Sequence, residues 1–195
     1  MPPKAKITKE MIIEAGLKAV RSEGADSLNV RRVAAQLGCS TQPVMYHYKT
    51  VDELRADVYA AADGLHTEYI MTPDESIPNP LLSVGLKYIR FANEEKHLFV
   101  FLFQSGNFRS ESFKELLESD GMDFMFQPLC EAAELTMQQA KEVFAMLFIC
   151  VHGAASLLAN NSLDYDEEYF TKLLDNTFTG AVGAVKRGNR YEKAV

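Results

Sequence analysis

Apolar residues recur at helical spacing along almost the whole chain, and strand-like alternation is almost absent. A side-chain period near 3.6 cannot lie on one face of a sheet, where the period is two, so the pattern predicts an all-α fold. In the first segment, Ile12, Ala15, Gly16, Ala19 and Val20 follow the spacing i, i+3, i+4, i+7, i+8. Thr8 is a suitable N-cap for this helix, with Glu10 in its first turn, and the helix runs out near Gly24. Asn29 caps a short second helix bearing Val30, Val33, Ala34 and Leu37, and Gly38 ends it. Ser40 opens a very short third helix that tolerates Pro43 in its first turn. Thr50 and Glu53 form a capping box, opening a longer helix with Leu54, Val58, Ala61, Ala62 and Leu65 as its expected buried stripe.

Pro73, Pro78 and Pro80 bar a helix from Met71 to Pro80, which reads as a loop. Helical segments follow at about 80–92, 94–104, 110–119, 122–134, 136–160 and 165–187. The helix at 136 opens on a second capping box, Thr136 with Gln139, and is apolar on several sides. Such a helix is central to a core or half-buried against a partner.

The chain's 195 residues suit one large domain or a small one fused to a larger one. Its net charge of −7 conceals an asymmetry: residues 1–50 hold eight basic and four acidic side chains, leaving −11 on the remainder. A cationic head on an anionic body points to nucleic-acid binding by the head. The three cysteines form no CxxC pair, and the four histidines lack ligand spacing, so neither a disulfide framework nor a metal site is expected. GxSxG, P-loop and dinucleotide fingerprints are missing, which argues against an enzyme and leaves no cofactor to expect. The basic start lacks a secretion signal's apolar stretch, and no run approaches the ~18 consecutive apolar residues of a membrane helix; a cytoplasmic protein is expected.

Residues 29–48, NVRRVAAQLGCSTQPVMYHY, have the parts of a helix-turn-helix in order. Gly38 permits the sharp turn, while Ala34 and Ala35 let the helices approach closely. Thr41 and Gln42 stand at the leading edge of the second helix, which enters the major groove in this motif, beside Ser40 and Pro43. Gln pairs with adenine, and a threonine hydroxyl serves several bases. Arg31 is a candidate for a guanine or a phosphate. Tyr46, His47, Lys49 and the amides at Thr50 suit backbone phosphates, which set register without reading sequence.

These residues resemble the DNA-binding domain of the TetR family of transcriptional regulators over 8–58: Thr8–Val20, Asn29–Ser40, and His47–Leu54 follow its pattern in order and spacing. The resemblance implies a homodimer reading a palindromic double-stranded operator, with a DNA-binding domain at 1–55 and an effector-binding and dimerisation domain at 56–195. Asn29 joins the candidate DNA-binding set on the same ground. Two positions depart from the pattern. Met45 replaces a phosphate-contacting tyrosine, and Val51 replaces a phosphate-contacting lysine.

A weaker resemblance covers the body. Arg90-Phe91-Ala92, Leu98–Phe103 and Phe148 through His152-Gly153 are similar to one subclass of TetR-family ligand-binding domains. It implies a dimer interface made by the last two long helices, about 136–160 and 165–187. Phe99, Phe103, Phe124, Met125, Met146 and Phe148 are candidates to line an apolar pocket for a small apolar or aromatic effector, with His152 as the ionisable group beside them. Ordinary core packing accounts for the same residues. The alternative function is a helical ligand-binding protein with weakened or lost DNA readout.

Overall fold

The computed structural model describes residues 7–77, 79–106, 113–118 and 123–188, and every regular element among them is helical. In chain order these are α1 (Lys9–Glu23), a 3-10 turn (Ala25–Ser27), α2 (Val30–Gln36), α3 (Thr41–His47), α4 (Val51–Met71), α5 (Pro80–Glu94), α6 (Lys96–Phe103), α7 (Phe113–Glu118), α8 (Asp123–Ala133), α9 (Met137–Asn160) and α10 (Glu167–Arg187). The chain divides into two compact units, Met1–Tyr69 with Glu94–Phe108 and Ile70–Asn93 with Arg109–Val195.

In the first unit, Thr8 Oγ1 accepts the Met11 amide at 3.3 Å, and α1 buries the five predicted residues. Asn29 Oδ1 caps α2 by accepting from the Arg32 amide at 2.9 Å. Gly38 has φ +63°, the left-handed conformation that a side chain disfavours, and the Cys39 amide closes the turn onto the Ala34 carbonyl at 3.0 Å. Helix α4 opens with the Glu53 amide on Thr50 Oγ1 at 3.2 Å, but the Glu53 carboxylate takes the Lys49 amide at 2.8 Å instead of the Thr50 amide. Its buried stripe is Leu54, Val58, Ala62 and His66; Ala61 is half-buried and Leu65 faces solvent. The stripe steps by four residues throughout, which favours position 66 over the apolar residue at 65.

The boundary expected at residue 55 falls inside α4. The first unit runs on to Tyr69 and takes in α6, because α4 and α6 complete the core that α1 begins. Leu98, Phe99, Phe101 and Leu102 of α6 are fully buried. Arg21 Nε lies 2.8 Å from Glu95 Oε2, His97 Nδ1 lies 3.0 Å from the Arg21 carbonyl, and Tyr59 donates to the Leu102 carbonyl at 3.4 Å.

The second unit has a core of Phe126, Leu129, Leu135, Ala140, Val143 and Ala181, where α9 packs on α8 and α10. Asn79 Oδ1 accepts from the Leu81 and Leu82 amides at the start of α5. Thr136 and Gln139 complete the predicted capping box of α9 in both directions, at 3.0 and 3.3 Å. Asp166 caps α10 through the Tyr169 amide at 3.0 Å. Arg90 Nη2 sits 2.5 Å from Glu167, and its Nη1 is 3.6 Å from Asp74. The predicted segment 110–119 is described only at α7, and Lys4, Lys6 and Pro78 lie outside the described residues. Among the described residues, α9 is long and apolar enough by length and composition to cross a membrane, although no unbroken run of apolar residues composes it.

Candidate nucleic-acid interface

Helix α3 is fixed from behind and open in front. Val44 is fully buried, and α3 packs against α2, whose Val33 and Ala34 are also buried. Gln42 and Tyr46 project outward, Tyr46 with 82% of its surface exposed, while Thr41 and Pro43 are half-buried. Met45, which is not among the sequence-derived site residues, is 56% exposed on the same side. Its spacing from Gln42, one helical turn short by half a residue, was the available signal. Ser40 is exposed and its side chain makes no cap bond to α3, leaving the hydroxyl to other partners.

The C-terminal end of α3 is tied down by a network that sequence reasoning missed. Tyr48 is buried, and its hydroxyl donates to Asp57 Oδ2 at 2.8 Å. Lys9 Nζ reaches the same oxygen at 2.6 Å and lies 5.4 Å from the centroid of the Tyr48 ring. The Lys9 ammonium and the Tyr48 hydroxyl hold the Asp57 carboxyl below the usual carboxylate range, while burial and the adjacent carboxylate push the Tyr48 phenol up. Three helices, α1, α3 and α4, thus meet at one ion-supported hydrogen bond.

Two of the expected DNA contacts are already engaged. Asn29 spends its oxygen on the α2 cap and its Nδ2 on the Ser27 carbonyl at 3.2 Å. His47 Nε2 lies 3.1 Å from the Ile7 carbonyl, and a carbonyl only accepts, so this nitrogen carries the proton. Thr50 accepts the Glu53 amide but keeps its hydroxyl proton to donate.

Ion pairing sorts the basic residues. Lys9, Lys18, Arg21 and Arg32 pair with Asp57, Glu14, Glu95 and Glu23. Arg31 and Lys49 are exposed and have no ion pair among the described residues; one precedes α3 in the chain and the other follows it. Arg55 of α4 likewise has no ion pair among the described residues, so the uncompensated positive charge lies before and after α3 in the chain.

The candidate pocket residues separate by unit. Phe99 and Phe103 belong to the first, where Phe99 is fully buried and Phe103 lies edge-on to His66 with centroids 5.1 Å apart. Burial lowers the His66 pKa to about 4. Met125, Met146, Phe148 and His152 belong to the second, and the side chain of Phe124 lies outside the described residues. Met125 packs on the core cluster, whereas Met146 is 41% exposed. Phe144, Phe148 and His152 stack along α9, with centroids 6.0 and 5.6 Å apart. Tyr88 Oη lies within hydrogen-bond distance of His152 Nδ1, at 3.0 Å, and desolvation holds the imidazole below its ordinary pKa.

The exposed side of α9 carries Met146, Ile149 at 63% exposure, Gly153 and Leu157 at 57%, spaced along one face. Among the described residues, no group of three or more histidine, cysteine or acidic side chains is arranged to hold a metal. No family model and no curated protein matches this chain.

Proposed function

We propose that the chain is a DNA-binding transcriptional regulator of the TetR type, acting as a ligand-responsive homodimeric repressor on a palindromic operator. The observation that carries this reading is the outward face of α3. Gln42 and Tyr46 point to solvent from a short helix whose back is buried, bracketed in the chain by the unpaired charges of Arg31 and Lys49. Glutamine supplies a bidentate partner for adenine, the arginine and lysine anchor to phosphate or guanine, and the Tyr46 and Thr50 hydroxyls donate to phosphate oxygens. The apolar face of α9 supports pairing of two copies through α9 and α10. A twofold dimer presents its recognition helices to half-sites about one turn apart, roughly 34–36 Å. An effector binding unequally to the competent and incompetent dimers shifts their populations, and with them operator affinity.

Selection of duplexes from a random pool by the full chain, followed by titration at several salt concentrations, tests the reading. A palindromic consensus, bound with an affinity that falls steeply with salt, is the expected result. Replacing Thr41 and Gln42 with Ala should remove the sequence preference. Indifference among duplexes would overturn the reading.

A second reading, a helical ligand-binding protein with weakened DNA readout, is favoured by Met45 and Val51, both exposed and neither able to donate to a phosphate. Unchanged DNA affinity in the Thr41/Gln42 double variant would select it.

A further inference from the structure

We infer that Met45 reads a thymine C5-methyl group within two base pairs of an adenine read by Gln42. The inference rests on the proposed role of α3 in the major groove and assigns part of the sequence read there.

Met45 is 56% exposed on a helix whose other outward residues, Gln42 and Tyr46, are polar. Leaving a thioether in water gains nothing, and its chemistry limits what it can recognise. It has no proton to donate, so it makes no hydrogen bond to a phosphate oxygen, to guanine O6 or N7, or to thymine O4. In the major groove the one apolar group on a base edge is the thymine methyl. An unbranched, polarisable side chain with three rotatable bonds suits contact with a methyl group whose position varies with local DNA geometry.

Spacing fixes the relation to Gln42. Residues three apart on a helix are separated by about 4.5 Å along the axis and about 60° around it. Base pairs in B-DNA are stacked at about 3.4 Å, so the two side chains address base pairs that are neighbours or one step apart. A half-site in which adenine and thymine occur at that separation follows. Tyr46, with 82% of its surface exposed and one residue beyond Met45, lies about 100° further around the helix.

The test removes the methyl group without touching the protein. The full chain first selects its preferred duplexes from a random pool, and each thymine of the consensus half-site is then exchanged for deoxyuridine, which lacks only the C5-methyl. One such exchange should weaken wild-type binding about three- to fivefold, the loss expected when a methyl contact is given up. The same exchange should leave Met45→Ala binding unchanged. Met45→Leu, which keeps an apolar end, should remain sensitive. Met45 is exposed, and the variants should retain the helical circular dichroism of the wild type.

Selective binding that is indifferent to every deoxyuridine exchange overturns the inference and leaves the regulator reading standing. Equal sensitivity in wild type and Met45→Ala overturns it as well, because the methyl is then read by another residue. If selection yields no consensus at all, both the inference and the regulator reading fall.

Discussion

Tyr48 and Asp57 join the end of α3 to α4 through a 2.8 Å hydrogen bond from phenol to carboxylate. The bond couples the orientation of the proposed reading helix to the helix that follows it. Because Asp57 also holds Lys9, the phenol bonds to a charged acceptor, a stronger interaction than one between neutral groups. Tyr48→Phe should therefore lower stability by about 1–2 kcal/mol in urea titrations while preserving helical content. The phenol's pKa is raised in the fold, so its stabilising contribution is complete below the ordinary tyrosine value near 10 and is lost as pH rises above it. Wild type should lose stability above about pH 10 more steeply than Tyr48→Phe. Parallel alkaline profiles for the two proteins would refute this assignment.

Gly16 faces Val58 of α4 with no room for a side chain. A Cβ there would stand 2.6 Å from Val58 Cγ2 and 3.2 Å from Leu28 Cδ1. Valine is stiff at χ1 and cannot swing aside cheaply, so the helices must separate. Ala is intrinsically the better helix former by about 1 kcal/mol, but overpacking costs about 1–3 kcal/mol. Gly16→Ala should lower the melting temperature. Adding Val58→Ala should make the Gly16→Ala step neutral or stabilising, and the double-mutant cycle reads that coupling directly.

His66 gives the first unit an acid-sensitive core. Burial lowers its pKa to about 4, so in the fold the ring remains neutral where an unfolded chain, titrating near 6.5, takes up a proton. Stability is complete above pH 6.5 and falls as pH drops toward 4, by up to about 1.4 kcal/mol per pH unit, with no further loss from this group below that. His152, also lowered by desolvation, works in the same direction from the second unit. His66→Leu should flatten the pH dependence of urea midpoints between 6.5 and 4 relative to wild type. A variant with the wild-type slope would remove His66 as the cause.

What the sequence disclosed and what it withheld divide along physical lines. Caps and helix periods are local, so Thr8, Asn29 and the Thr136–Gln139 box, together with the buried face of α1, were readable from neighbouring residues. The exposure of Gln42 and Tyr46 was legible for the same reason: Val44 supplies the inward face of a helix only two turns long. Contacts between residues far apart in sequence left no such mark. Nothing near Lys96–Phe103 signals that this apolar helix joins the core begun by α1, which is why the expected boundary at 55 fell short. Asn29 entered the DNA-binding set through the resemblance and His47 through its residue type, and neither route shows that Asn29 also caps α2 and donates to the Ser27 carbonyl, or that His47 engages the Ile7 carbonyl forty positions away. His66 was passed over because apolarity chose Leu65, whereas the four-residue step of the stripe chose its neighbour.

The outward face of α9 makes the dimer proposal testable without DNA. Ile149 has 63% of its surface exposed and sits between Met146 and Gly153 on that face, so a polar group there leaves the core of the unit intact. In a paired state Ile149 would be covered by the second copy, and a carboxylate placed at 149 would be buried without a partner. That burial costs several kcal/mol, and each 1.4 kcal/mol is tenfold in the dissociation constant, so Ile149→Asp should weaken pairing by about a hundredfold or more. Light scattering coupled to gel filtration should show wild type at twice the 21.8 kDa chain mass and Ile149→Asp near the single-chain mass, with unchanged circular dichroism. Operator affinity should fall with it, since a single copy holds only one half-site. A variant that keeps the wild-type mass would place the pairing surface elsewhere, and a wild type that runs as a single chain at micromolar concentration would remove the dimer from the proposal.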